Sequence, residues 1–176
     1  MNKFKQDALL AETTYKLRVA GSWCGETHMQ KAVYFLQSLR KVPMGFNFIL
    51  YKHGPFSFDL RDELTSMVAD GFLELQAQWP YGPSLLPTPI GEELCRSFPN
   101  ILRRYSSDID FVSGVLGDRN VSDLEKIATA LYVFCEHMQD SPRTQARILH
   151  QLKPHIPIHD ALEAVKQVCM FAQASA

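Results

Sequence analysis

Apolar residues fall along this chain in two spacings, and the switches between them mark its elements. Over residues 4–20, Phe4, Leu9, Leu10, Tyr15, Leu17 and Val19 stand among Lys, Glu and Thr, which predicts a loosely amphipathic helix closed by Gly21. Gly21-Ser22-Trp23-Cys24-Gly25 reads as a turn. Thr27 with Gln30 has the capping-box spacing and predicts a helix over about 28–40. Its buried side would carry Met29, Ala32, Val33, Phe35, Leu36 and Leu39, and Pro43 and Gly45 end it. Phe46 to Tyr51 is aromatic and β-branched between turn residues, so a strand is expected there. His53-Gly54-Pro55 turns the chain. Ser57 then caps a helix over 58–70, whose Phe58, Leu60, Leu64, Met67 and Val68 follow a 3.6-residue period until Gly71 stops it.

From Phe72 the pattern alternates through Leu75, Ala77 and Trp79, turns at Pro80-Tyr81-Gly82-Pro83 and returns through Pro87, which predicts a hairpin. Thr88 caps the next helix, with Pro89 at its first position and Glu92 and Glu93 suited to its dipole. Beyond Pro99 only helical patterns follow, at about 100–116, 122–138, 142–152 and 158–173. Ser122 with Glu125 repeats the capping-box spacing, Ser141-Pro142 opens the third of these helices, and Pro154 and Pro157 separate it from the last.

Helix, helix, strand, helix, hairpin, helix is the order of a winged helix. Asp70-Gly71-Phe72-Leu73 and Thr88-Pro89-Ile90-Gly91-Glu92-Glu93-Leu94 are its most specific phrases here. The expected fold is mostly α (α+β), a winged-helix-like core with a small β-hairpin followed by a C-terminal helical bundle. Residues 1–98 would form the first domain and 99–176 a helical lobe packed on it as one unit.

Charge changes what that core is expected to do. With a net charge of -1 over 176 residues there is no global field to draw the chain to nucleic acid. Residues 57–70 carry Asp59, Asp62, Glu63 and Asp70 against Arg61, and the hairpin tip from 76 to 84 has no Lys or Arg. Cationic contacts to phosphate supply most of a DNA binder's affinity, so this surface reads as protein-binding. Its candidate partner-binding residues are His53, Phe56, Asp59, Asp62, Glu63, Trp79 and Tyr81. Candidate anion-binding residues are Arg103, Arg104, Arg143 and Arg147, although charges on an exposed helix are more often a solvated face. At His53-Gly54-Pro55 two readings compete. The imidazole could titrate while the turn presents Phe56, or Gly and Pro could simply set a sharp turn with Phe56 as a staple; turn chemistry favours the second. Trp79 and Tyr81 would mark a contact surface if exposed, or fold back over the C-terminal helices.

Catalytic chemistry finds no foothold. Cys24, Cys95, Cys135 and Cys169 have no paired spacing, and no GxSxG elbow or phosphate-cradling glycine loop occurs. Pro154 and Pro157 interrupt any common helix for His150, His155 and His159, so no metal and no cofactor are expected. No apolar stretch suits a signal peptide or a membrane span. The chain is read as soluble and cytoplasmic with reduced thiols.

Two phrases carry a family likeness. Met29-Gln30-Lys31-Ala32-Val33-Tyr34-Phe35-Leu36-Gln37 and Tyr51-Lys52-His53-Gly54-Pro55-Phe56-Ser57 resemble the "LQKLxYFxQ" helix and "GP(F/Y)S" turn of the YwgA-like family. More distantly they resemble the Panacea antitoxin domain (SocA- and GepA-like proteins). Asp123-Leu124-Glu125-Lys126-Ile127-Ala128-Thr129-Ala130-Leu131-Tyr132 and Leu152-Lys153-Pro154 also look YwgA-like. The resemblance implies a winged-helix-like core that interacts rather than catalyses, in toxin neutralisation or as an adaptor for proteolysis. The expected function is therefore a non-catalytic cytoplasmic regulatory module, antitoxin-like, that binds a protein partner such as a toxin or regulator; a homodimer is compatible with it. The alternative is a winged-helix DNA-binding transcription regulator.

Overall fold

The computed structural model describes residues 1–79 and 81–174, with the backbone alone described at Gln78 and Tyr81. Among these residues the chain is mostly α with two antiparallel hairpins and a C-terminal helical region. In order it runs α1 (Lys3–Val19), α2 (Glu26–Ser38), β1 (Ile49–Tyr51), β2 (Gly54–Phe56), α3 (Phe58–Ala69), β3 (Leu73–Gln78), β4 (Tyr81–Pro87) and α4 (Pro89–Ser97). Then come α5 (Pro99–Leu116), α6 (Val121–Glu136), α7 (Pro142–Leu152) and α8 (Ile158–Gln173).

The fold is arranged around α2. Every residue from His28 to Leu36 is buried, because α1, α5, α6 and β2 all pack on this helix. A helix covered on all sides needs no amphipathic stripe, so the six core positions read from periodicity understate its burial. α1 shows the same effect. Asp7 to Ala11 are all buried between α5 on one side and α4 with β4 on another, while Phe4, Tyr15 and Val19 stay exposed. The hydroxyls of Thr13 and Thr14 survive in this interior by donating to the carbonyls of Leu9 and Leu10, at 2.7 and 2.8 Å. One contiguous core runs from Leu9 to Val168 and crosses residue 98, with α5 against α1 and α6 against α2.

Ser57, Thr88 and Ser141 cap α3, α4 and α7 as expected, each accepting a backbone N–H three residues on. Gly71, at φ +75°, takes the left-handed conformation that ends α3. Two expected caps move. α2 starts at Gly25 rather than Thr27, with no side-chain cap, because Cys24 at φ +54° has already turned the chain. α6 is capped by Asn120, which accepts from Asp123 N, and not by Ser122. Glu125, freed from a capping box, turns inward. The glycine in the Thr88–Leu94 phrase also has a local reason: a Cβ at Gly91 would collide with the Phe72 carbonyl oxygen.

The expected strand over 46–51 shortens to Ile49–Tyr51. The side-chain amide of Gln37 takes both backbone groups of Phe46, accepting from its N–H at 2.9 Å and donating to its carbonyl at 2.8 Å. No ladder partner can then use them. β1 pairs with β2 (Leu50 opposite Pro55) and β3 with β4 (Leu75 opposite Leu85), so the two hairpins are separate sheets. Beside β4, where a winged helix would place its first strand, the α1–α2 turn supplies one backbone–backbone bond: Leu85 N–H donates to Cys24 O at 2.9 Å. The hairpin ladder extends to Gln78 and Tyr81, so Gly82 and Pro83 belong to β4 rather than to the expected tip turn. Pro80 lies outside the described residues. α3 touches the first hairpin through the ring of Phe58 on Tyr51 and Phe56, and its later turns lie on β3.

Candidate partner-binding groove

The two resemblance phrases meet in space, and they close the fold rather than open a site. Gln30 holds the backbone of Ser57 with both ends of its amide, each at 2.9 Å. Lys31 donates to Pro55 O at 2.9 Å and is 2 % exposed. Burial pushes its ammonium down to about 8, against the pull of Glu125. Lys153, arriving from the end of α7, donates to Tyr51 O at 2.9 Å and stands 3.2 Å from Glu125 Oε1. His155 Nε2 lies 3.3 Å from the same oxygen, and His53 Nδ1 lies 3.6 Å from Oε2. Glu125 thus pairs with buried Lys153, favours the ammonium of buried Lys31 from beyond ion-pair distance, and has two exposed histidines beside it. Its Oε1 accepts no well-aligned hydrogen bond, so the cluster is held by charge more than by directed bonds. Gly54 is required here twice over: its φ is +85°, and a Cβ would sit 3.0 Å from Thr129 Oγ1 on α6.

A groove of about 750 Å³ opens on the other side of α3. Arg61, Leu64, Thr65 and Val68, spaced along one helix face, form its first wall. Leu75 and Leu85, cross-strand neighbours on β3 and β4, extend the apolar surface. Trp23 underlies the hairpin and donates from Nε1 to Gly82 O at 3.1 Å. The opposite wall is the α5–α6 turn, Gly117 to Val121. His28 ties that wall to α2 by donating from Nε2 to Arg119 O at 3.0 Å, and burial lowers the pKa of its imidazole. The groove therefore joins four stretches that are far apart in sequence: residues 21–28, 61–68, 75–85 and 117–121.

None of the six candidate partner-binding side chains that are described lines this groove. Trp79 comes nearest in topology; it stands 93 % exposed on the same hairpin and does not fold back over the helices. The side chain of Tyr81 lies outside the described residues. Asp59 and Asp62 are exposed on α3, with Asp59 accepting from Asn47 at 3.1 Å and Asp62 paired to Arg61 at 3.2 Å. Glu63, expected to face solvent, turns back to Lys3 and stands beside buried Asp7, whose carboxyl is pushed up to about 6 by burial and by Glu63. Phe58, expected in the core, is 42 % exposed because the first turn of α3 leaves it stacked on Tyr51 and Phe56. His53 and Phe56 belong to the turn above Glu125.

Arg103 and Arg104 are exposed on α5, which packs on α1, α2 and α4; Arg143 and Arg147 are exposed on α7, which packs on α6 and α8. His150 donates from Nδ1 to Ile156 O at 2.7 Å, and His159 sits 2.7 Å from Asp160, so the three C-terminal histidines face different partners. Among the described residues no three His, Cys, Asp or Glu side chains gather as metal ligands, and no helix is long and apolar enough to cross a membrane. The four cysteines are free, and burial raises the thiol of Cys24 to about 12, far from a reactive thiolate. Comparison of the chain with protein-family models and with curated protein sequences finds no match in either.

Proposed function

We propose that this chain is a non-catalytic regulatory module that works by binding another protein on the face built from α3 and the β3–β4 hairpin. The observation that carries this reading is what stands across from α3. Its outward stripe is one wall of a groove whose other wall is the turn from Gly117 to Val121. A recognition helix must project to enter a DNA major groove about 12 Å wide, and here the C-terminal lobe stands across from it. The same helix exposes Asp59 and Asp62, and the hairpin offers an exposed Trp79 and no cation, a combination that suits protein contact. An antitoxin-like role in a reducing cytoplasm is consistent with the resemblance of the Gln30–Lys31 and Gly54–Ser57 phrases and with four free thiols.

A photo-crosslinking residue placed at Trp79 in the full chain, expressed in its own host, tests this reading. The expected result is one dominant protein adduct. Nanomolar, sequence-specific binding of host promoter DNA at about 150 mM salt, where non-specific contacts are screened, would replace it with the DNA-binding alternative.

A further inference from the structure

The charges in the groove divide into engaged and free. Arg61 is paired with Asp62 at 3.2 Å and lies over the Phe58 ring at 5.1 Å. Arg119 donates to Val115 O at 2.7 Å and Gln167 Oε1 at 3.2 Å, and its charge is shared with a second, polar cavity that Asp123, Asp160 and Glu163 line. Glu26 and Asp118 both line the groove, are exposed and have no ion-pair partner among the described residues. An apolar floor flanked by two unanswered carboxylates is complementary to an apolar ligand that carries positive charge.

The rim indicates the size of that ligand. Leu75 and Val121 remain 54 % and 50 % exposed at opposite edges, so the apolar surface continues beyond the enclosed volume. A small molecule confined to the groove would leave both edges in water, whereas a polypeptide running through it would cover them. Gly21 and Gly82 add edges without side chains, each with open space where a Cβ would stand, so that a second backbone can approach closely.

We propose that the groove holds a short apolar segment of a partner polypeptide carrying a lysine or arginine that reaches Glu26 and Asp118. This rests on the protein-binding reading above and specifies the partner's docking element. Val68 and Leu75, backed by buried Leu64 and Leu85, receive the apolar side chains, and the two carboxylates set which segments are accepted. Charge complementarity of this kind acts mainly on selectivity and association rate.

The test uses displayed random dodecapeptides selected against the full chain, with the enriched sequences then measured by fluorescence anisotropy. Enriched peptides are expected to combine apolar residues with at least one Lys or Arg. Leu75→Glu and Val68→Asp should each weaken their binding at least about tenfold. The double variant Glu26→Gln, Asp118→Asn should weaken it about three- to tenfold at low salt, a difference that shrinks as salt is raised. All these positions are partly or fully exposed, and matching thermal melts confirm that the variants are folded. Enrichment of acidic or uncharged peptides, binding indifferent to both Leu75→Glu and Val68→Asp, or no enrichment at all would overturn the proposal. A protein crosslinked at Trp79 whose capture ignores the groove variants would remove this inference alone. Specific DNA binding without protein capture would remove the protein-binding reading with it.

Discussion

The turn around Gly54 and the groove beside α3 use charge in opposite ways. At the turn Lys31, Glu125 and Lys153 are withdrawn from water and answer one another, with Gln30 completing the backbone of Ser57. At the groove Glu26 and Asp118 are left in water with nothing to answer them. The turn draws most of its residues from two compact phrases, whereas the groove joins four stretches of the chain. A compact phrase in this chain therefore marks where the fold must close on itself.

If the contrast is right, stability should fall sharply at one region and hardly at the other. Glu125→Gln should cost the most, about 3 kcal/mol, because it keeps the shape but leaves two buried lysines without their anion. Urea unfolding measures this, and a loss below about 1 kcal/mol would mean that the Tyr51 and Pro55 carbonyls satisfy the lysines alone.

Lys31 gives the next largest effect, and it depends on pH. Its folded pKa is lowered from 10.5 to about 8. The unfolded chain therefore binds this proton more tightly, and the lysine's penalty, complete below pH 8, is relieved as pH rises from 8 towards 10.5. Between pH 8 and 10 the native chain should gain about 2 kcal/mol relative to Lys31→Met, whose profile lacks this rise. Parallel profiles would show that Lys31 keeps its proton more firmly than its burial implies.

Gly54→Ala should cost about 1–2 kcal/mol, since alanine resists a φ of +85° and its methyl would press on Thr129 Oγ1. Guanidinium unfolding followed by circular dichroism gives the value. Leu75→Glu should be the smallest, within about 0.5 kcal/mol of the native chain, as expected for an exposed position. A large loss there would make the groove part of the folding core and dissolve the contrast.

The helices were legible because each signal is local. Ser57, Thr88 and Ser141 cap within three residues, Gly71 stops α3 by its own conformation, and the last four helices begin and end close to where their periodicity does. Readings failed where a distant group competed. Gln37 took the hydrogen-bonding groups of Phe46 and shortened a strand, and Lys3 drew Glu63 away from the surface of α3. Lys153 and Lys31 made Glu125 an interior anion where its spacing from Ser122 read as a capping box. Within the groove, α3 and the hairpin were anticipated as elements, but Leu75, Glu26 and Asp118 carried no signal that would single them out.

The amino-acid sequence by itself determined the helical elements, the second hairpin and the mostly α class, since propensity, capping and periodicity act over a few residues. It also determined that α3 and the hairpin tip would be poor in cations, which is a matter of composition. Tertiary structure alone decided that α2 is buried on every side, that the Gly54 turn is pinned by Glu125 and Lys153, and that the Gly117–Val121 turn faces α3 across a groove. Each of these depends on which surfaces meet after the chain has crossed tens of residues. That choice is made by the packing of the whole core, because no local segment buries enough surface to make it alone.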